Sequence, residues 1–195
     1  MRGTIKLGTR WVPFRARETL APARGFVWAG SAGRVIRGAD SYVDGESGLD
    51  WRLFGVIPVA RASGRDAARS AAGRLAGEAV WLPPALLPRF GARWKAAGDG
   101  EALVTTDVDG LEVTSTLSID DDGRLRAARF DRWGDPSGNG DFGWHRFGML
   151  ATSHRSFAGL TIPDSGRVGW HIGTDRWDEG EFFRYRITVL EPVGT

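Results

Sequence analysis

The sequence predicts an α+β fold: a mainly antiparallel β-sheet covered by one main α-helix at about residues 63–82. Three observations carry this expectation. Nine tryptophans and 28 glycines are dispersed along the chain, and large rings combined with tight-turn residues favour sheet over a helical bundle. Period-two alternation recurs in the second half. One Ala- and Arg-rich stretch places apolar residues at helical spacing and ends in a double proline.

Short extended segments separated by turn residues fill the first part of the chain. "GFVWAG" and "RVIRGADSYV" flank "SAG", a tight connection between strands. "LDWRLFGVIPVA" reads as a further strand with Leu49, Trp51 and Leu53 on one face.

From Ser63 the character changes. Ser63 is placed to cap a helix, with Asp66 at the acidic third position of a capping box. Ala68, Ala72, Leu75, Ala79 and Leu82 form one apolar stripe at helical spacing. Pro83 and Pro84 end it, because proline lacks the amide donor and restrains the residue before it.

Beyond the helix, "EALVTTDVDGLEVTSTLSIDDDGRLRAARFDRW" reads as a three-stranded meander. Leu111, Val113, Leu117 and Ile119 alternate with Glu112, Thr114, Thr116 and Ser118. Asp109-Gly110 and Asp122-Gly123 supply the turns. "GDPSGNGDFG" is a loop, and "FFRYRITVL" is a last strand with Phe183, Tyr185, Ile187 and Val189 on one face. No linker divides the chain, so residues 1–195 read as a single domain.

Composition narrows the function classes. A pI near 9.5 comes from a net charge of only +2, and the arginines are scattered among acids, so no clustered basic face for nucleic acid is expected. Without cysteine there is no disulfide framework, thiolate nucleophile or cysteine metal site. No apolar run approaches the about 20 residues of a membrane span, and "MRGTIKLGTRW" lacks a signal core, so a cytoplasmic protein is expected.

Familiar motifs fail on context. "GNGDFG" matches the spacing of a dinucleotide loop, but no helix opens at its third glycine. "TDVDG" and "IDDDG" lack the terminal glutamate and flanking helices of a calcium loop, so they are turns. His145, His154 and His171 show no metal-ligand spacing, and neither a nucleophile elbow nor a phosphate loop is present. No metal and no cofactor are therefore expected.

Two short echoes occur: "FDRWGD" with "TDRWDE", and "GWH" at 143–145 and 169–171. Their unequal spacings argue against a repeat and for similar chemistry at strand ends. Asp131-Arg132 and Asp175-Arg176 read either as ion pairs supporting turns or as arginines that hold a ligand carboxylate or phosphate. The tryptophans occur in nearly every expected element, so several share one interior. That interior is either a filled aromatic core or an apolar pocket with a few polar handles.

"RWVPFRARE", "GFVW", "ADSYVDGESG", "LAGEAVWLPPALLP", "FDRW" and "FAGLTIPDSGRVGW", in this order, resemble a family of bacterial proteins of unknown function. The likeness spans roughly residues 10–190, and Glu-x-x-Trp-x-Pro-x-x-Leu-Leu-Pro is its most specific part. The architecture is also similar to the lipoprotein-carrier half-barrels. That similarity implies a strongly curved sheet, a half-barrel, wrapped around a helix and enclosing an apolar cavity. The carriers are exported and this chain shows no signal core, so the likeness implies architecture and not that role.

The expected function is binding of a hydrophobic or amphipathic small molecule between the sheet and the helix. Trp28, Tyr42, Glu78, Trp81, Arg132, Trp144 and His171 are the expected ligand-binding residues. On a helix Glu78 shares a face with Arg74, Leu75, Trp81 and Leu82, so its carboxylate borders the apolar stripe. Two rivals remain: an enzyme using Glu78 as general acid or base, and a structural domain with a closed core in which Glu78 pairs with Arg74.

Overall fold

A computed structural model describes residues 1–193. Six strands come first: β1 (Arg2–Leu7), β2 (Arg10–Ala21), β3 (Gly25–Ala32), β4 (Ile36–Val43), β5 (Glu46–Leu53) and β6 (Ile57–Ala62). Helix α1 (Arg65–Glu78) follows, then three short 3₁₀ turns. The second half holds β7 (Arg93–Gly98), β8 (Glu101–Val108), β9 (Leu111–Ile119), β10 (Leu125–Gly134), β11 (Gly143–Phe157) and β12 (Leu160–Trp170). A single helical turn, α2 (Trp177–Gly180), leads into β13 (Glu181–Arg186).

All strands join one antiparallel sheet in the order β6-β5-β4-β3-β2-β1-β13-β12-β11-β10-β9-β8-β7. Two meanders meet at its middle, where β1 pairs with β13 through Arg2↔Arg186 and Ile5↔Phe183. The chain therefore has to pass from one sheet edge, β6, to the other, β7, and α1 lies on that path. The helix packs against β3, β4 and β5 of one wing and β8, β9 and β10 of the other. Tyr42 on β4 also reaches across to donate a hydrogen bond to Asp109 in the β8–β9 turn.

The α+β class and the single main helix agree with the sequence. The strongly curved half-barrel requires correction: the sheet is open and only weakly curled. Among the described residues, its edges β6 and β7 pair with nothing beyond their inner neighbours. Pro58 fits this arrangement, since proline donates nothing to a ladder and belongs on an edge strand.

Local differences have local causes. "LDWRLFGVIPVA" is a hairpin and not one strand, because Phe54 and Gly55 both take positive φ (52° and 77°) in the three-residue connection 54–56. Gly64, not Ser63, precedes α1 without a side-chain cap, and Asp66 accepts instead from the Trp133 indole at 2.8 Å. The helix ends at Glu78, earlier than expected, and Leu82 before Pro83 sits at φ −127°. The last strand stops at Arg186 and leaves Val189 exposed.

The meander of β8, β9 and β10 has the expected alternation, with Val113 and Leu117 buried. "GDPSGNGDFG" is a loop in which Asp135 accepts the amides of Gly138 and Gly140. The long strands β11 and β12 were not legible as strands. β12 carries Pro163, Asp164 and two glycines, and the β11–β12 register shifts beside Pro163. Asp164 and Ser165 are buried, with Asp164 accepting from Ser153 at 2.7 Å.

Candidate functional site

Alternation along β2 turns Phe14, Ala16, Glu18 and Leu20 to the covered face of the sheet. Register then sets three residues side by side: Glu18 faces Trp28, and Trp28 faces Asp40. The indole thus stands between two acids on neighbouring strands. Stacked on Phe14 at 4.8 Å and close to Trp51 and Phe183, it is fixed in the aromatic interior.

Arg74 descends from α1 onto this row. Its guanidinium lies 4.2 Å from the centre of the Phe26 ring and 4.9 Å from that of Trp28. All three nitrogens are engaged: Nε donates to Glu78 Oε1 at 2.5 Å, Nη1 to Asp40 Oδ2 at 3.0 Å and Nη2 to Glu18 Oε1 at 3.1 Å. Asp40 is completed by the Trp51 indole, which donates to Oδ1 at 2.6 Å. Glu78 is 7% exposed. Its Oε2 is buried and has no donor when both glutamates are ionised.

Electrostatics resolves that orphan oxygen. Burial first, and then the neighbouring Glu78, push the Glu18 carboxyl up to about 9. A Glu18 carboxyl that keeps its proton at neutral pH can offer it as a hydrogen bond to the neighbouring Glu78. Burial alone would lower Arg74, but Glu78, Glu18 and Asp40 outweigh it and raise its affinity for the proton.

A second guanidinium approaches from the other wing. Arg132 on β10 donates from Nε to the Ser70 carbonyl of α1 at 3.1 Å. Its charge lies 4.6 Å from the Phe147 ring centre and 5.3 Å from that of Trp170. Asp131 points to the opposite, exposed face, as the strand period demands, so the expected Asp131-Arg132 ion pair does not form. Arg176 likewise pairs with Glu179 and not with Asp175. Burial, with Arg74 as a like charge nearby, pulls Arg132 down to about 10, which leaves it cationic at neutral pH.

Between these groups lies a cavity of about 550 Å³. Its walls include Trp28, Trp51, Phe130, Phe147, Trp170 and Phe183, and Glu18, Asp40, Arg74, Glu78 and Arg132 supply its charged flank. Gly77 is what lets Phe130 reach the helix: a Cβ there would lie 2.4 Å from the ring. The glycine admits an aromatic ring and not, as its position in the sequence suggests, another backbone.

Of the residues singled out in the sequence, Trp28, Glu78, Trp81 and Arg132 border the cavity. Trp81 also donates to Tyr185 Oη at 3.3 Å, which holds it in place. Tyr42, Trp144 and His171 lie elsewhere. Tyr42 is committed to Asp109, on the seam between the wings. Trp144 is half exposed and packs edge-on against Trp133 at 5.4 Å. His171 occupies a turn at φ 60°, and its ring meets that of His145 at 6.4 Å, so the two "GWH" copies are neighbours in space. Burial, then Arg176 and His145, lower its proton affinity.

Sequence reading missed Glu18 and Asp40. The signal was present for Glu18: a carboxylate in phase with Phe14, Ala16 and Leu20 sits on a buried face. Among the described residues no group of three or more His, Asp or Glu side chains is arranged to hold a metal ion. No described helix is long and apolar enough to cross a membrane.

No curated protein and no solved structure matches the chain. Residues 1–182 match the family of unknown function DUF6544, and the chain belongs to that family.

Proposed function

We propose that this protein binds a hydrophobic or amphipathic small molecule in the cavity between α1 and the sheet, as one domain acting in the cytoplasm. The observation that supports the reading is the cavity itself, about 550 Å³ with aromatic walls and a charged flank. Small-molecule sites are commonly apolar clefts of about 300–1,000 Å³ with a few convergent polar groups. A closed structural core accounts for the Glu78–Arg74 pair but not for a cavity of this size, since packed interiors hold few voids larger than a water molecule. Native mass spectrometry of protein purified from cells, set against a denatured sample, is expected to show a co-purifying small molecule. A ligand-free spectrum together with no thermal shift from fatty acids or isoprenoids overturns the reading.

A catalytic reading draws on the Glu18 carboxyl, held protonated by burial beside Glu78 on the cavity wall. Paired carboxyls pushed apart in proton affinity suit acid and base roles. Arg74, however, already occupies an oxygen of each. A Glu78→Gln enzyme would trap substrate, so its native mass spectrum would differ from that of the unaltered protein, whereas a carrier would retain the same ligand.

A further inference from the structure

We infer that the cavity selects an amphiphile with an oxyanionic head, a carboxylate or a phosphate, held by the Arg132 guanidinium with its apolar part along the aromatic wall. This rests on the ligand-binding reading above and narrows its ligand class. One guanidinium of the cavity has unmet hydrogen-bonding demand. A guanidinium carries five N–H donors and no acceptor.

At Arg74 every nitrogen has a carboxylate oxygen. Asp40 has both oxygens bonded, to Arg74 and to Trp51. Glu78 gives Oε1 to Arg74, and its carboxyl neighbours that of Glu18. Each acidic group of the flank is therefore already paired with Arg74, and a cationic head would have to compete with that guanidinium.

Arg132 differs. Only its Nε–H is bonded, to the Ser70 carbonyl. Its terminal nitrogens have no acceptor among the described residues, and no carboxylate lies within ion-pair distance. The group is nonetheless held in place, between Phe147 and Trp170 on the wall and Ser70 on the helix. What the cavity lacks is an acceptor that takes a planar two-nitrogen fork, and carboxylate and phosphate fit that fork. An alcohol offers one neutral oxygen, and a charge-assisted bond is roughly twice as strong.

Isothermal titration calorimetry of the full chain, below micelle-forming concentrations, tests this with four probes of one tail length: dodecanoate, dodecyl phosphate, dodecanol and dodecylamine. At least one oxyanion is expected to bind at least about tenfold more tightly than dodecanol, with dodecylamine weakest. The tighter of the two oxyanions identifies the head. Arg132→Gln is expected to bring oxyanion affinity down about 10–100-fold, to the level of dodecanol, and to change dodecanol affinity far less.

If dodecanol or dodecylamine binds as tightly as the oxyanions, the head-group inference is overturned and the cavity reading stands. An oxyanion preference that survives Arg132→Gln overturns the assignment to Arg132. If none of the four binds, the cavity reading fails and this inference with it. The ranking in the unaltered protein decides the matter even if Arg132→Gln does not fold. Arg132→Lys, which keeps the charge and loses the fork, is expected to retain a weaker preference for oxyanions.

Discussion

Glu18 and Glu78 converge on one guanidinium from opposite sides of the interior. Arg74 donates Nη2 to Glu18 Oε1 at 3.1 Å and Nε to Glu78 Oε1 at 2.5 Å. One carboxyl arrives from β2 and the other from the last turn of α1, 60 residues further along the chain. The helix is thereby tied to the sheet by ionic groups as well as by apolar packing.

Removing the central cation should expose how much the cluster depends on it. Arg74→Met leaves Glu18, Asp40 and Glu78 without their shared partner, and breaking a buried pair from one side costs about 3–5 kcal/mol. The stranded carboxyls escape part of that cost by taking up protons. Urea denaturation should therefore show a larger loss at pH 8 than at pH 5, and equal losses at both would contradict the cluster's electrostatic role.

The proton on Glu18 makes stability depend on pH in a set direction. Its carboxyl is raised from 4.5 to about 9, so between those values the folded chain binds more protons than the unfolded one. The contribution is complete below pH 4.5 and is lost as pH rises toward about 9. Glu18→Gln keeps a hydrogen-bond donor beside Glu78 and removes the titration. Its melting temperature should change less than that of the unaltered protein across this window, at about 2–4 °C for each kcal/mol retained. Parallel curves for the two proteins would refute the assignment.

Glu181 has the opposite sign. Burial alone would raise its carboxyl, but hydrogen bonds from Arg167 and Arg184 outweigh burial and bring it from 4.5 to about 2. Its contribution is present above pH 4.5 and lost as pH falls through about 2. Glu181→Gln should destabilise by about 1–2 kcal/mol at pH 7, the low end for charged hydrogen bonds because both arginines are partly exposed. The difference should shrink toward zero near pH 2, measured by denaturant titration at each pH.

Gly77→Ala sets helix propensity against packing. Alanine in a helix gains about 1 kcal/mol over glycine. Its Cβ, however, would lie 2.4 and 2.5 Å from two Phe130 ring atoms, and overpacking costs about 1–3 kcal/mol. Packing should win, giving a net loss that Phe130→Leu partly relieves. A Gly77→Ala protein more stable than the parent, measured by thermal melting, would show that Phe130 moves aside freely.

Much of the local structure was legible in the sequence because it depends on neighbours a few residues apart. Alternation in β9 and the Asp109-Gly110 turn follow from side-chain period and backbone restriction, whereas α1 stops at Glu78, before the residues that Pro83 restrains. The Glu78–Arg74 pair was legible for the same reason, since residues four apart on a helix are neighbours.

The site itself belongs to tertiary structure. Arg74 meets Asp40 and Glu18 over 34 and 56 residues of separation, distances that only strand register and the edge-to-edge crossing of α1 bring together. The same registers place Tyr42 on the seam and leave Trp144 facing outward, although both looked like ligand contacts in the sequence. Period tells which face a residue occupies. Which residues share a face across the sheet, and which proton settles between two carboxyls there, is decided by the pairing of distant strands and by the low-dielectric interior that pairing creates.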